Sequence, residues 1–78
     1  MRIEFENECD LYCIDNEKTV KAQVLNFRLE DGLTCYLADS KLVMKYNKRH
    51  DLYIGSLMGM EFHTKGPKYW EVYQGRHR

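Results

Sequence analysis

In the stretch Thr19-Val-Lys-Ala-Gln-Val-Leu-Asn-Phe-Arg-Leu, apolar side chains occupy even positions as far as Val24 and odd positions from Leu25 to Leu29. An alternation of period two marks a half-buried strand, and a slip of one residue in it is the signature of a β-bulge. The chain here has to be a strand of a bent sheet. The run ends at Glu30-Asp31-Gly32, after which Leu33, Cys35 and Leu37 alternate with Thr34, Tyr36 and Ala38. A two-residue Asp31-Gly32 loop would set Leu29 opposite Thr34 and Arg28 opposite Cys35. A three-residue loop from Glu30 to Gly32 pairs Leu29 with Leu33, Phe27 with Cys35 and Leu25 with Leu37, apolar against apolar, and predicts a left-handed residue at Gly32. The expected core face is therefore Leu25, Phe27, Leu29, Leu33, Cys35 and Leu37.

Strands are expected on either side of this hairpin. Met1, Ile3 and Phe5 alternate with Arg2, Glu4 and Glu6, and the same phase resumes at Cys9, Leu11 and Cys13, with a bend allowed at Asn7. Asp15-Asn16-Glu17 and Ala38-Asp39-Ser40 carry turn chemistry. Leu42, Met44 and Tyr46 make a further strand. Residues 52–62 have apolar spacings compatible with a helix, but Gly55 and Gly59 would each cost about 1 kcal/mol inside one. The strand reading, or two strands joined at Gly55, puts Leu52, Ile54, Met58, Met60 and Phe62 on one face. Gly66-Pro67 breaks the chain, and Lys68 to Gln74 is β-prone with Trp70 and Val72 in phase, closing the sheet ahead of a tail at 75–78.

The predicted fold is all-β: one domain over residues 1–78, a small closed or strongly bent antiparallel barrel of about six strands. An α+β arrangement with a short helix near 51–59 or 67–75 is the alternative. Predicted core residues are Ile3, Phe5, Val20, Val24, Phe27, Leu29, Leu33, Leu37, Met44, Ile54, Met60 and Phe62. At 78 residues a single core is near the lower limit for a stable domain, which favours self-association. The three cysteines, with no apolar leader and no membrane-length apolar run, point to reduced thiols and a cytoplasmic location.

Net charge is zero, yet Met1 to Asp39 holds four Lys or Arg against nine Asp or Glu, while Ser40 to Arg78 holds eight against three. Acidic and basic strands lying side by side would explain this, as would a basic face for an anionic partner. Glu4, Glu6, Glu8 and Asp10 share one strand face, spaced about 7 Å apart, too far to share a proton as a catalytic dyad.

Cys9 and Cys13 would stand about 13 Å apart along a strand, too far to share a zinc ion without a bend, and they read as small buried hydrophobes. Ser40 and Ser56 carry no nucleophile elbow, and no phosphate loop is present. No enzyme activity, cofactor or metal is expected. The run Val24 to Gly32 followed by Gly59-Met-Glu-Phe62 loosely resembles the strand order of the cyclic-dinucleotide-binding PilZ barrels. Their Arg-x-x-x-Arg stretch is missing before the hairpin, Arg28 stands where their turn has serine, and Gly32 falls one residue late, so no function is carried over.

The expected function is a non-catalytic binding module for a protein partner or for a second copy of the chain. In the dimer, the acidic face of residues 4–10 would meet a basic turn of the other copy. The alternative is single-stranded nucleic acid, bound through basic residues interleaved with rings: Lys45, Tyr46, Lys48, Arg49 and His50 at one turn, His63, Lys65, Lys68 and Tyr69 at another.

Overall fold

The computed structural model describes residues 2–72, and the fold over them is all-β. Eight strands follow in order: β1 Arg2–Phe5, β2 Glu8–Cys13, β3 Lys18–Arg28, β4 Gly32–Leu37, β5 Ser40–Asn47, β6 Leu52–Leu57, β7 Met60–Thr64 and β8 Tyr69–Val72. β2 to β7 form a closed antiparallel barrel in sequence order, and β1 and β8 form a separate two-stranded ribbon. Among the described residues no helix is long and apolar enough to cross a membrane.

The bulge falls where the phase slip places it. Val24 pairs with Cys35 and Asn26 with Thr34, leaving Leu25 as the extra residue. Val24 and Phe27 on either side of it both point inward and are buried. The hairpin register differs from the expected one: Phe27 pairs with Leu33 and Arg28 with Gly32, so the loop is Leu29-Glu30-Asp31. Asp31 N donates to Arg28 O at 3.0 Å, and Glu30, at φ 56°, is the left-handed residue. Two bonds from outside the hairpin hold this loop in place: Glu30 N donates to Tyr53 Oη at 2.8 Å, and Tyr46 N donates to Asp31 O at 2.9 Å. Leu25 and Leu29 are consequently exposed rather than core. Gly32 serves a different purpose from the one expected, because a Cβ there would lie 2.7 Å from Met44 O. It lets β4 approach β5.

Leu11, Leu42, Met44, Cys13 and Cys35 are the most deeply buried side chains, the larger of them each contributing about 1.5–3 kcal/mol on burial. Phe27, Leu33, Val24, Phe62 and Met44 are core as expected, whereas Ile3, Phe5, Leu37 and Met60 are only partly buried against it. Val20, paired with Leu11 on β2, is exposed rather than core. Residues 52–62 split at Met58-Gly59, not at Gly55. That turn pairs Leu57 with Met60, so the inward phase runs through Tyr53, Gly55 and Leu57 and then through Met60, Phe62 and Thr64. Ile54 is turned outward between Lys45 and His63, and Met58 is 78% exposed. Gly55 is a close-approach glycine, since its Cβ would meet Val43 O at 2.8 Å.

The C-terminal strand does not close the barrel. β8 pairs with β1, Arg2 opposite Val72 and Phe5 opposite Tyr69, while closure is made by β2 against β7. Asn7 provides the bend that lets the first strand leave the ribbon and enter the barrel, its carbonyl accepting from Val24 N at 2.8 Å. Met1, Tyr73, Gln74 and the expected tail at 75–78 lie outside the described residues.

Candidate functional site

The closing seam is short. β2 and β7 share only the pairs Tyr12 with His63 and Cys13 with Phe62, extended by Ile14 N donating to Glu61 O at 3.1 Å. Contact with β2's side of the chain resumes at Glu6, whose N donates to Lys68 O at 2.9 Å. Between these points the chain passes through Lys65-Gly66-Pro67. Pro67 has no donor to offer, and Gly66, at φ 92°, turns the backbone away. The even residues of β2 direct their backbone groups toward β7, as the Ile14 bond shows. At Glu8 and Asp10 that side faces a gap.

Thr64 spans part of the gap. Its hydroxyl donates to Asp10 O at 2.6 Å and accepts from Gly66 N at 3.0 Å. It is the one buried polar residue among those described, and both roles of its hydroxyl are used. What remains is a groove of about 650 Å³. One wall carries Glu6, Glu8 and Asp10 from β2 and the bend before it; the other carries His63, Lys65 and Lys68. Asp10 is bonded to Lys21 at 3.3 Å on the neighbouring strand, and His63 Nε2 lies 2.6 Å from Glu61 Oε2. The acidic and basic portions of the chain therefore do lie side by side, but across an open groove rather than in one continuous ladder.

A second, smaller cleft of about 250 Å³ lies at the end of the barrel near the β3–β4 loop. Rings line it: Tyr46 stands 5.1 Å from Tyr53, and Phe27 stands 5.6 Å from Tyr53 and 5.8 Å from Tyr69. Phe5 reaches Phe27 at 5.7 Å. Glu30, Asp51 and Lys65 share the cleft. The Tyr46 hydroxyl donates to Asp51 Oδ1 at 2.6 Å, a bond that holds its phenol up at about 12.

The structure divides the nine basic and aromatic positions singled out in the sequence. Lys65, Tyr46 and Tyr69 meet at the ring-lined cleft, and His63, Lys65 and Lys68 meet at the seam groove. Lys45, Lys48, Arg49 and His50 line neither; Lys45 sits on β5 and the other three on the exposed loop to β6, where His50 N donates to Asn47 Oδ1 at 3.1 Å. Lys45 and His63 share the outer face of β5 to β7, with Ile54 between them.

Sequence reasoning overlooked Thr64 and Tyr53 as site-building residues. The available signal was a polar residue in the inward phase, two after Phe62 and just before a Gly-Pro break. The thiols sit inside the barrel. Burial raises both Cys9 and Cys35, Cys35 to about 11, and Cys13 Sγ lies 3.9 Å from Met60 Sδ. Compared with known proteins, the chain matches no protein-family model, no curated protein and no solved structure.

Proposed function

We propose that this protein is a non-catalytic binding module that holds an extended polypeptide segment in the seam groove between β2 and the Lys65–Lys68 stretch. The observation that carries the reading is the lapse of the β2–β7 ladder over a groove with carboxylates on one wall and cations on the other. Backbone groups of β2 at Glu8 face that groove, which suits strand addition, where main-chain bonds supply affinity and side-chain pockets supply selectivity. In strand addition every second side chain of the segment stands on the outer face of the sheet, with Glu6 and Glu8 on one flank and Lys65 and Lys68 on the other. The fitting partner is thus a segment whose outward positions carry both basic and acidic residues. The raised thiols support the non-catalytic part of the reading, since a nucleophilic cysteine needs the opposite shift.

Fluorescence anisotropy with labelled octapeptides tests this. A peptide with both Lys and Glu among its i, i+2, i+4 positions, separated by Thr, should bind more tightly than its all-Lys or all-Glu counterpart, and Lys65→Glu with Lys68→Glu should weaken it. Equal binding of the three peptides, or no effect of the substitutions, refutes the proposal.

The convergence of Lys65 and the exposed Tyr69 ring at the aromatic cleft favours, as a second reading, a single strand of nucleic acid. A labelled oligonucleotide titrated at two salt concentrations separates the two. Nucleic acid should show a slope of log affinity against log salt of about −0.7 for each phosphate neutralised, and Tyr69→Ala should cost about 1–3 kcal/mol.

A further inference from the structure

The ribbon has an edge whose chemistry is legible residue by residue. Glu6 N donates to Lys68 O at 2.9 Å, which fixes the phase of β1: its even residues direct their backbone groups to β8. Ile3 and Phe5 then direct theirs the other way. The Asn7 carbonyl, in the same odd phase, confirms the direction by accepting from Val24 N on the far side of the chain. Among the described residues no strand pairs with that side of β1. An exposed strand edge is a template for another chain.

The side chains along this edge identify which chain. Arg2-Ile3-Glu4 reads cation, apolar, anion, and reversed it reads anion, apolar, cation. In an antiparallel pairing centred on Ile3, the segment is its own electrostatic complement. We propose that two copies of this protein join through their β1 edges, forming a four-stranded sheet in the order β8, β1, β1 of the partner, β8 of the partner. Ile3 exchanges both backbone bonds with the partner's Ile3, because its N–H and C=O already face the open edge. Arg2 stands opposite the partner's Glu4, and Glu4 opposite the partner's Arg2. Those are non-hydrogen-bonded positions, where Cα atoms come within about 4.5 Å and side chains are closest. Within one chain Arg2 and Glu4 already meet at 2.7 Å on an exposed face, so dimerisation exchanges the two internal pairs, one in each copy, for two pairs between chains. The outer edge of β8 does not have this property, since Tyr69-Trp-Glu-Val72 contains an acidic residue and no cation. The pairing is independent of the seam groove, and it differs from a dimer joining the acidic face of residues 4–10 to a basic turn.

Charge exchange tests the register. Arg2→Glu alone, or Glu4→Arg alone, sets like charges opposite each other twice and should weaken dimerisation roughly tenfold or more, measured by sedimentation of the full chain. The doubly exchanged chain should recover it. Mixing the two single variants is decisive: the mixture should form a heterodimer, detected by native mass spectrometry, in which both cross-chain pairs are again opposite in sign. An intrachain role for the Arg2–Glu4 pair predicts no such rescue. Ile3→Pro provides a backbone control, because it removes an N–H that β8 does not use; circular dichroism should stay that of the folded chain while the dimer is lost. A wild-type chain that remains monomeric at high concentration, single variants that dimerise like wild type, or a mixture that yields no heterodimer overturns the proposal.

Discussion

The hydroxyl of Thr64 donates to the carbonyl oxygen of Asp10 at 2.6 Å, and this side-chain bond stands where a ladder bond between β7 and β2 would otherwise be. Thr64→Val keeps the shape and deletes the hydroxyl, leaving Asp10 O and Gly66 N without their partner at a site of 5% exposure. The expected loss is about 1–3 kcal/mol in urea denaturation, with faster hydrogen exchange at Gly66. Thr64→Ser retains the hydroxyl and should lose less; equal losses would show that the methyl group, not the bond, matters.

Glu30 and Gly32 separate two reasons for wanting glycine. Glu30 occupies the left-handed region at φ 56°, so Glu30→Gly relieves strain of about 1 kcal/mol, partly offset by added chain entropy. Gly32→Ala drives a Cβ to 2.7 Å from Met44 O and should cost about 1–3 kcal/mol through displaced backbone. Denaturation midpoints should rank the two variants in opposite directions from wild type, or show Glu30→Gly unchanged and Gly32→Ala lower.

At the β6–β7 turn both Met58 and Gly59 have positive φ, 54° and 77°, the backbone of the turn that Asn-Gly serves best. Met58 is 78% exposed and has no packing to lose. Met58→Asn should therefore raise stability by about 1 kcal/mol, read as a higher melting temperature with an unchanged circular dichroism spectrum.

Alkaline pH should destabilise the fold in a defined window. Burial raises the Cys35 thiol from 9.0 to about 11, and the bond to Asp51 raises the Tyr46 phenol from 10.0 to about 12. Both groups keep their protons longer when folded, so the unfolded chain binds fewer protons between these values and stability falls as pH rises from about 9 through about 12. Tyr46→Phe should lower stability at neutral pH and flatten the decline above pH 10. An unchanged slope would remove the Asp51 bond as its source.

The bulge at Leu25 and the strand character of 52–62 were legible because period-two patterning is a local property. The hairpin register was not, since its loop is held by Tyr53 and Tyr46, whose backbone and hydroxyl contacts come from two strands that pairing rules for a lone hairpin ignore. β8 was legible as a strand but not as β1's partner, because the alternation of Ile3 and Phe5 reads the same whichever neighbour lies beside it. The acidic row at Glu6, Glu8 and Asp10 and the cations at Lys65 and Lys68 were both visible; that they flank one groove depends on barrel closure, which carries no local signal.

The Arg2–Val72 pairing sets the two outermost described residues of the chain side by side at the tip of the ribbon. A segment joined directly before Arg2 and one joined directly after Val72 would leave the ribbon from neighbouring points. Such a domain can be spliced into a surface loop of a host protein without prising the host apart, and a short linker joining its ends would let new termini be opened at the exposed β5–β6 loop.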